Sequence, residues 1–450
     1  MKYDTQKYFL WVLGCQMNKS DGERVAAVLE ELGFVPTTNE SEANLIFTMA
    51  CSVRQTAIDR IHGRLRNWEH MKRTRPILTV LSGCVLPDDK EYFRKKFDIL
   101  LDTKDINQLP ALLTDTQNIR RSIIPSRGTQ VVQYLSLKPK YSSTFQAFVP
   151  IMSGCDKFCT YCAVPFTRGR EVSRPSKEIL DEVQALVVRG YKQITLLGQN
   201  VNSYGLDTQG REPNFAKLLQ LVAAIAGDFW IHYTSPHPRD MTDDVLDAMA
   251  ASPKIAKQIH LPLQAGSTAV LKRMNRTYTQ GEYLRLMHRI RSRFPYLALS
   301  TDIIVGFPGE TAAQFEETRK VFREARFDMA YIAQYSPRPN TPAAKVFSDD
   351  VLESEKKRRF EVLTADLSEC SFAYHQSLLH STIRILIEKY STGFYFGKTE
   401  GLKNIRVPAH DFDHGKFVGT FQEIRVQTVS HWHLQGAFVE SFIPVKSLTQ

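Results

Sequence analysis

The stretch AFVPIMSGCDKFCTYC, residues 147–162, joins an apolar run to three cysteines, Cys155, Cys159 and Cys162. The apolar half reads as a short buried strand. The cysteine half has the spacing C-x3-C-x2-C. A loop that tight converges three thiolates on one small object. It supplies three ligands where a closed iron–sulfur cluster or a zinc site takes four. A cluster held this way keeps one iron open to a small molecule. Zinc is the weaker alternative, because zinc motifs pair C-x2-C with a second, distant pair.

Working outward, residues from about 145 to 345 repeat strand then helix six times. The strands are AFVPIMSG, QITLLGQN, WIHYTSP, QIHLPLQ, LSTDIIVGF and MAYIAQYSP. Helical periodicity covers Lys177 to Arg189, Phe215 to Ala226, Asp243 to Ala251, Ala269 to Met274, Gln280 to Phe294 and Ala313 to Ala325. Six units are too few to close an eight-stranded barrel, so a partial (β/α)6 barrel is expected. Its loops after each strand build the active site, and the cysteine loop follows the first strand.

The first ~120 residues also alternate strand and helix, which argues a parallel, doubly wound sheet. YFLWVLGC, ANLIFTMAC and ILTVLSGC are its first three strands and FDILLDT a fourth. Cys15, Cys51 and Cys84 each close one of the first three. Parallel strands point their C-terminal ends to one edge, where open α/β sheets bind ligands. Three thiols there read as a second cluster site. Three separately buried apolar cysteines are the alternative. Cys370 stands apart and reads as a structural thiol.

After about residue 370 the chain turns β-branched and aromatic, broken by Gly, Asn and Asp, which suggests a small β-barrel. His375, His380, His410, His414, His431 and His433 match no metal spacing and read as surface or RNA-contacting groups. Net charge is +10, which suits a polyanionic partner. Basic runs at 72–75, 94–96, 120–121 and 356–359 each read as solvated faces. No stretch approaches the ~20 apolar residues of a membrane span. The N-terminal apolar run is too short for a signal peptide. Seven cysteines, unevenly placed, do not form a disulfide framework, so a cytoplasmic setting is expected.

With these motifs in view, the chain resembles the radical S-adenosylmethionine (SAM) methylthiotransferases over nearly its whole length. GCQMNKSDGER at 14–24 and CSVR at 51–54 resemble the branch acting on tRNA adenosine 37. CTYCAVPFTRGRE at 159–171, LLGQNVNSYG at 196–205, HLPLQAGST at 260–268, RMNRTYT at 273–279 and DIIVGFPGET at 302–311 match the core. Two departures stand out. Met49-Ala50 replaces the family's Asn-Thr, and Asn340 replaces the glycine of an Arg-Pro-Gly-Thr turn. Asn tolerates the left-handed conformation glycine would take there.

The resemblance implies three domains: an N-terminal methylthiotransferase domain at 5–122, a radical-SAM core at 141–371 and an RNA-binding TRAM barrel at 374–445. It implies two [4Fe–4S] clusters, one on Cys155, Cys159 and Cys162, the auxiliary one on Cys15, Cys51 and Cys84. The first would reduce SAM to a 5′-deoxyadenosyl radical. The second would supply sulfur, methylated by a second SAM, for C2 of N6-isopentenyl-adenosine at tRNA position 37. Tyr161, Gln199, Asn200, Ser235, His260, Gln264, Arg273 and Asp302 are the expected contacts for SAM or the flipped-out base. The partners implied are a tRNA anticodon stem-loop and an external electron donor such as flavodoxin or ferredoxin, with the enzyme itself a monomer. The alternatives are a methylthiotransferase acting on N6-threonylcarbamoyladenosine of tRNA or on ribosomal protein S12, and a non-enzymatic iron–sulfur RNA-binding protein.

Overall fold

The computed structural model describes residues 6–52, 55–114, 122–123, 130–409 and 415–439. The chain begins with β1 (Lys7–Val12), α1 (Gln16–Glu31), β2 (Val35–Pro36), β3 (Leu45–Cys51), α2 (Gln55–Thr74), β4 (Leu78–Cys84), α3 (Pro87–Phe93), β5 (Ile99–Leu100), α4 (Leu109–Thr114), β6 (Ser122–Ile123) and α5 (Gln130–Leu135). The strands pair in parallel in the order β2-β1-β3-β4-β5-β6. Every residue of β3 is buried, because helices cover both faces. Phe47 and Met49 pack with Val25 and Leu29 of α1, whereas Ile46 and Ala50 pack with Ile58, Ile61 and Leu65 of α2. The order reverses between β1 and β3, which makes that crevice a topological switch point.

The central part runs β7 (Gln146–Pro150), β8 (Met152–Ser153), α6 (Val164–Arg168), β9 (Val172–Ser173), α7 (Ser176–Val188), β10 (Gln193–Leu197), α8 (Phe215–Ala224), β11 (Trp230–Tyr233), α9 (Asp243–Ala251), β12 (Gln258–His260), α10 (Thr268–Arg273), α11 (Gln280–Arg293), β13 (Ala298–Val305), α12 (Ala312–Ala325), β14 (Met329–Gln334), α13 (Pro342–Val346) and α14 (Glu353–Ser377). β7-β10-β11 and β12-β13-β14 form two parallel sheets. A bridge from Ile231 to Ile255 joins them, with Ile231 N–H donating to the Lys254 carbonyl at 2.7 Å. The result is an arc of parallel strands in chain order, with no pairing of β7 to β14 among the described residues. Reciprocal capping boxes, Thr279–Glu282 and Thr311–Gln314, start α11 and α12.

The basic run at 356–359 lies on α14 and is not a uniformly solvated face. Lys356 pairs with Asp349 and Glu353, and Arg359 with Glu310 and Glu355; both cations are buried. Burial is tolerated because each charge has an acidic partner.

The tail is a closed barrel, β15 (Thr382–Ser391), β16 (Phe394–Thr399), β17 (Asn404–Pro408), β18 (Phe421–Val429) and β19 (Leu434–Phe438), in the order β15-β16-β17-β19-β18. Ile385, Ile387, Tyr395, Ile405, Val407, Ile424, Val426 and Leu434 fill it. The barrel docks at the N-terminal ends of the arc strands. Phe421 packs on Trp230 at 4.5 Å between centroids. Glu400 takes the Lys257 N–H at 2.6 Å on its carboxylate and faces His232 Nε2 at 3.0 Å with its carbonyl. Glu388 accepts from Gln146 at 2.6 Å, and Lys403 pairs with Asp328. His375 was expected at the surface. It is buried instead, its Nδ1 bonded to the Ser430 carbonyl at 2.7 Å, because α14 packs against the barrel. His380, His431 and His433 are exposed; His410 and His414 lie outside the described residues.

Candidate active site

The loop of Cys155, Cys159 and Cys162 sits at the C-terminal mouth of the arc, as its place after the first strand requires. Phe158 takes a left-handed φ of 49° that folds the loop between the first two cysteines. Neighbouring backbone pins it. Cys155 N–H donates to the Gly169 carbonyl at 3.1 Å and Thr160 N–H to the Met274 carbonyl at 3.0 Å. Asn275 Nδ2 donates to the Phe158 carbonyl at 2.9 Å. Gly154 is required, since a Cβ there would lie 1.9 Å from the Arg170 carbonyl oxygen. Burial pushes the Cys155 thiol up to about 11 and the Cys162 thiol up to about 12. Loading a metal group therefore releases protons.

Of the other expected residues, Gln199 and Asn200 adjoin this loop, and Ser235, His260 and Gln264 lie at or just past the C-terminal ends of β11 and β12. Gln199 Oε1 accepts the Gly154 N–H at 2.6 Å and so shapes the loop. Asn200 Nδ2 donates to Glu171 at 3.2 Å and Asp240 at 3.0 Å, which leaves Asn200 Oδ1 buried without a partner. That orphaned acceptor suits an incoming N–H donor such as an ammonium group. His260 lies 3.0 Å from Ser300 Oγ and 3.2 Å from Asp302 Oδ2, with Tyr331 edge-on at 5.8 Å. Ser235 and Gln264 hold left-handed φ angles of 60° and 70°. Strained non-glycine backbone of this kind concentrates at functional sites. Tyr161 packs edge-on against Phe307 at 6.5 Å.

Arg273 meets the cysteine loop through its backbone, its carbonyl accepting the Thr160 hydroxyl at 2.9 Å. It donates to the Pro308 carbonyl and to Gln314, each at 3.1 Å, and buttresses the 306–309 turn. The guanidinium that meets the loop is Arg276, 3.3 Å from Cys159 Sγ. Lys157, paired with Asp240 at 2.6 Å, adds a second cation. Burial, Arg276 and Lys157 together push the His237 imidazole down to about 2, so it stays neutral.

The second set is assembled by the sheet. Cys51 and Cys84 end β3 and β4 in direct register. Cys15 is not a strand residue: β1 stops at Val12 and Cys15 is the N-cap of α1. A cysteine cap makes no side-chain hydrogen bond here, so the usual start signal was absent. The two sides meet at Gly14, where a Cβ would lie 2.6 Å from Cys51 Cβ. Cys15 and Cys51 thus flank the β1/β3 switch point. Asn18 Nδ2 ties this corner by donating to the Leu13 and Ala50 carbonyls, each at 2.7 Å. The bond uses Ala50 backbone, so the Met49-Ala50 departure leaves it intact.

Arg168 reaches into this site from the core. It donates to Cys84 Sγ at 2.9 Å, Asn18 Oδ1 at 2.9 Å and Asp21 Oδ2 at 2.6 Å. Burial works against its charge, and Asp21 and Cys84 more than offset that, so the guanidinium stays ionised. Burial pushes the Cys84 thiol up to about 12, with Arg168 opposing. Arg338 also approaches, 3.2 Å from Gln55 Oε1. Arg168, Glu171, Arg276, Asn18 and Asp21 all lie inside the motifs quoted above; their roles become visible only when those motifs are brought together.

Among the described residues no group of three or more His, Cys, Asp or Glu is placed to hold one metal ion. Thiolates that grip separate corners of a cluster stand further apart than ligands of a single ion. The two donor sets, all-thiol and each beside an arginine, fit an anionic iron–sulfur group better than zinc. Cys370 packs against the core, away from both.

A model of the Radical SAM superfamily matches residues 149–322, and one of the uncharacterized protein family UPF0004 matches residues 7–101. The tRNA-2-methylthio-N(6)-dimethylallyladenosine synthase of Acetivibrio thermocellus is 38% identical over 443 residues, 96% of this chain and 91% of that protein. Those of Carboxydothermus hydrogenoformans and Staphylococcus aureus are also 38% identical, covering 96% and 97% of this chain and 99% and 86% of their own length. Among solved structures, the radical SAM methyltransferase TsrM from Kitasatospora setae, with cobalamin and a [4Fe-4S] cluster, superposes with a TM-score of 0.55 at 14% identity, over 76% of this chain and 77% of that one. That likeness concerns the fold alone.

Proposed function

The chain belongs to the family of tRNA-2-methylthio-N6-dimethylallyladenosine synthases, radical SAM tRNA methylthiotransferases, and from that premise we propose that it methylthiolates C2 of N6-isopentenyl-adenosine at position 37 of tRNA with two molecules of SAM. The family brings a [4Fe–4S] cluster and SAM. Cys155, Cys159 and Cys162 would hold that cluster, and Cys15, Cys51 and Cys84 a second. The observation that carries this reading is the pair of cysteine triplets at the C-terminal edges of two parallel sheets, linked by one short helix, α6.

When bound, the clusters and SAM supply the radical that removes the C2 hydrogen and the sulfur that replaces it. The protein's own residues bind and orient. Asn200 Oδ1, buried without a partner, would accept an N–H of the SAM amino group. Arg276 offsets the negative charge on Cys159. His260 and Asp302, linked across β12 and β13, present a polar edge to the base, and Tyr331 offers a ring face to stack on it. The open side of the arc admits the substrate. The small barrel adds RNA affinity, and a flavodoxin or ferredoxin supplies electrons. Residues 5–122, 141–371 and 374–445 are the three functional units in this reading. No described helix is long and apolar enough to cross a membrane.

Nucleoside mass spectrometry of tRNA from cells with and without the gene tests the proposal. The 2-methylthio form of isopentenyl-adenosine should vanish in the deletion. Loss of the methylthio form of threonylcarbamoyl-adenosine, or of the S12 modification, would reassign the substrate.

A further inference from the structure

Arg168 is an enclosed cation, its side chain 3% exposed, and it sits on α6 while its hydrogen-bond acceptors belong to β4 and α1 of the N-terminal part of the chain. Its Nε–Nη2 edge is divided between Cys84, Asn18 and Asp21. Asp21 is wholly buried and also accepts the Tyr134 hydroxyl, so the anchor for the guanidinium is itself held in place. Nη1 is buried with no partner, which leaves two N–H groups for sulfur acceptors. At its other end α6 starts two residues after Cys162, whose Sγ accepts the Val164 N–H at 3.4 Å. One short helix therefore touches a thiol of each triplet.

Resting on the two-cluster reading above, we propose that Arg168 is a positioning residue for the auxiliary group: it fixes Cys84 as a ligand and, through α6, registers that ligand against the loop of Cys155, Cys159 and Cys162. A guanidinium so placed does two things. It holds the Cys84 sulfur in place through a directional hydrogen bond at 2.9 Å. It also stabilises the more negative, reduced state of that group, which raises its potential.

The test uses the full chain with Cys155, Cys159 and Cys162 changed to Ala, so that iron reports the auxiliary site alone. Iron per chain after anaerobic reconstitution and an EPR-monitored redox titration are compared for Arg168, Arg168→Lys and Arg168→Met. The Met variant should hold less than half the parent's iron. The cluster it retains should be harder to reduce by tenfold or more in equilibrium constant, about 59 mV for one electron. Lys keeps the charge and loses the fork, so it should restore the potential while leaving iron loading intermediate. Arg168→Gln retains an N–H donor in the same slot and takes the place of Met should that variant fail to fold; its potential should fall likewise. A neutral variant that loads and titrates like the parent overturns the role of Arg168 alone. A parent that takes up no iron overturns the auxiliary site, and this inference with it.

Discussion

The two cysteine sites reach the same donor set by opposite routes. Cys155, Cys159 and Cys162 come from one loop of eight residues, bent by a left-handed Phe158 and pinned by local backbone bonds. Cys15, Cys51 and Cys84 are far apart in sequence and meet because β3 and β4 pair in register and α1 starts beside them. A local site survives as long as its loop does. A topological site exists only when the whole sheet is formed, and it is braced from outside by Arg168. The same set of three thiols thus depends on very different amounts of structure.

Exchanging the sites' ligands for Ala gives the largest contrast. Replacing Cys155, Cys159 and Cys162 should abolish reductive SAM cleavage while about four irons remain. Replacing Cys15, Cys51 and Cys84 should abolish methylthio product while SAM cleavage continues. Full iron in the first variant, or wild-type product in the second, would erase the distinction.

Glycine substitutions sharpen it further. Gly83 has φ +103° and a Cβ there would lie 2.3 Å from the Ala50 carbonyl oxygen, between the ends of β3 and β4. Gly83→Ala should cost at least about 2 kcal/mol and deplete the auxiliary iron. Gly154→Ala should instead deplete the loop site and spare the other. Iron analysis of each variant in the matching Cys→Ala background reads this directly; equal depletion of both sites would show that they fold as one unit.

Binding should move less, and neither site's iron should change, on altering the small barrel. Lys389 and Arg425 are exposed on it. Lys389→Glu with Arg425→Glu should weaken tRNA binding and flatten the salt dependence by roughly one to two in log–log slope. An unchanged slope would remove these residues from the RNA interface.

A last effect concerns pH and leaves the iron content of both sites unchanged. Burial pushes the His232 imidazole down to about 4. The unfolded chain protonates near the ordinary 6.5, so it binds more protons than the folded one between those values. Stability is then fully present above about 6.5 and falls as pH drops toward 4. Thermal unfolding across that window should show the decline, and His232→Gln should flatten it. An identical slope in the variant would place the titration elsewhere.

The local site was legible in the sequence because its information is contiguous. So were the six strands of the arc and the turn at Asn340, which has the left-handed φ of 64° its substitution for glycine suggested. The topological site was legible only in part. Strand spacing brought the three thiols to one edge, yet nothing in the periodicity marked Cys15 as a helix cap. Nor did it say that Arg168, rather than another basic residue, would cross between sheets. Arg273 and Arg276 share one motif, and only the packing of the 306–309 turn decides that the first supports a loop while the second meets a thiol. Short pairings such as β2 and β6 escaped notice because two residues carry no period.

The small barrel closes the floor of the arc, while the cysteine loop occupies its ceiling. The strand between them, β13, has eight residues, a contour of about 26 Å at about 3.3 Å per residue. A polymer gripped at both levels must climb the outer wall to pass from one to the other. Molecular reach then becomes a criterion for selection: a fragment carrying the right base but too little flanking helix engages the ceiling alone and forfeits the lower hold.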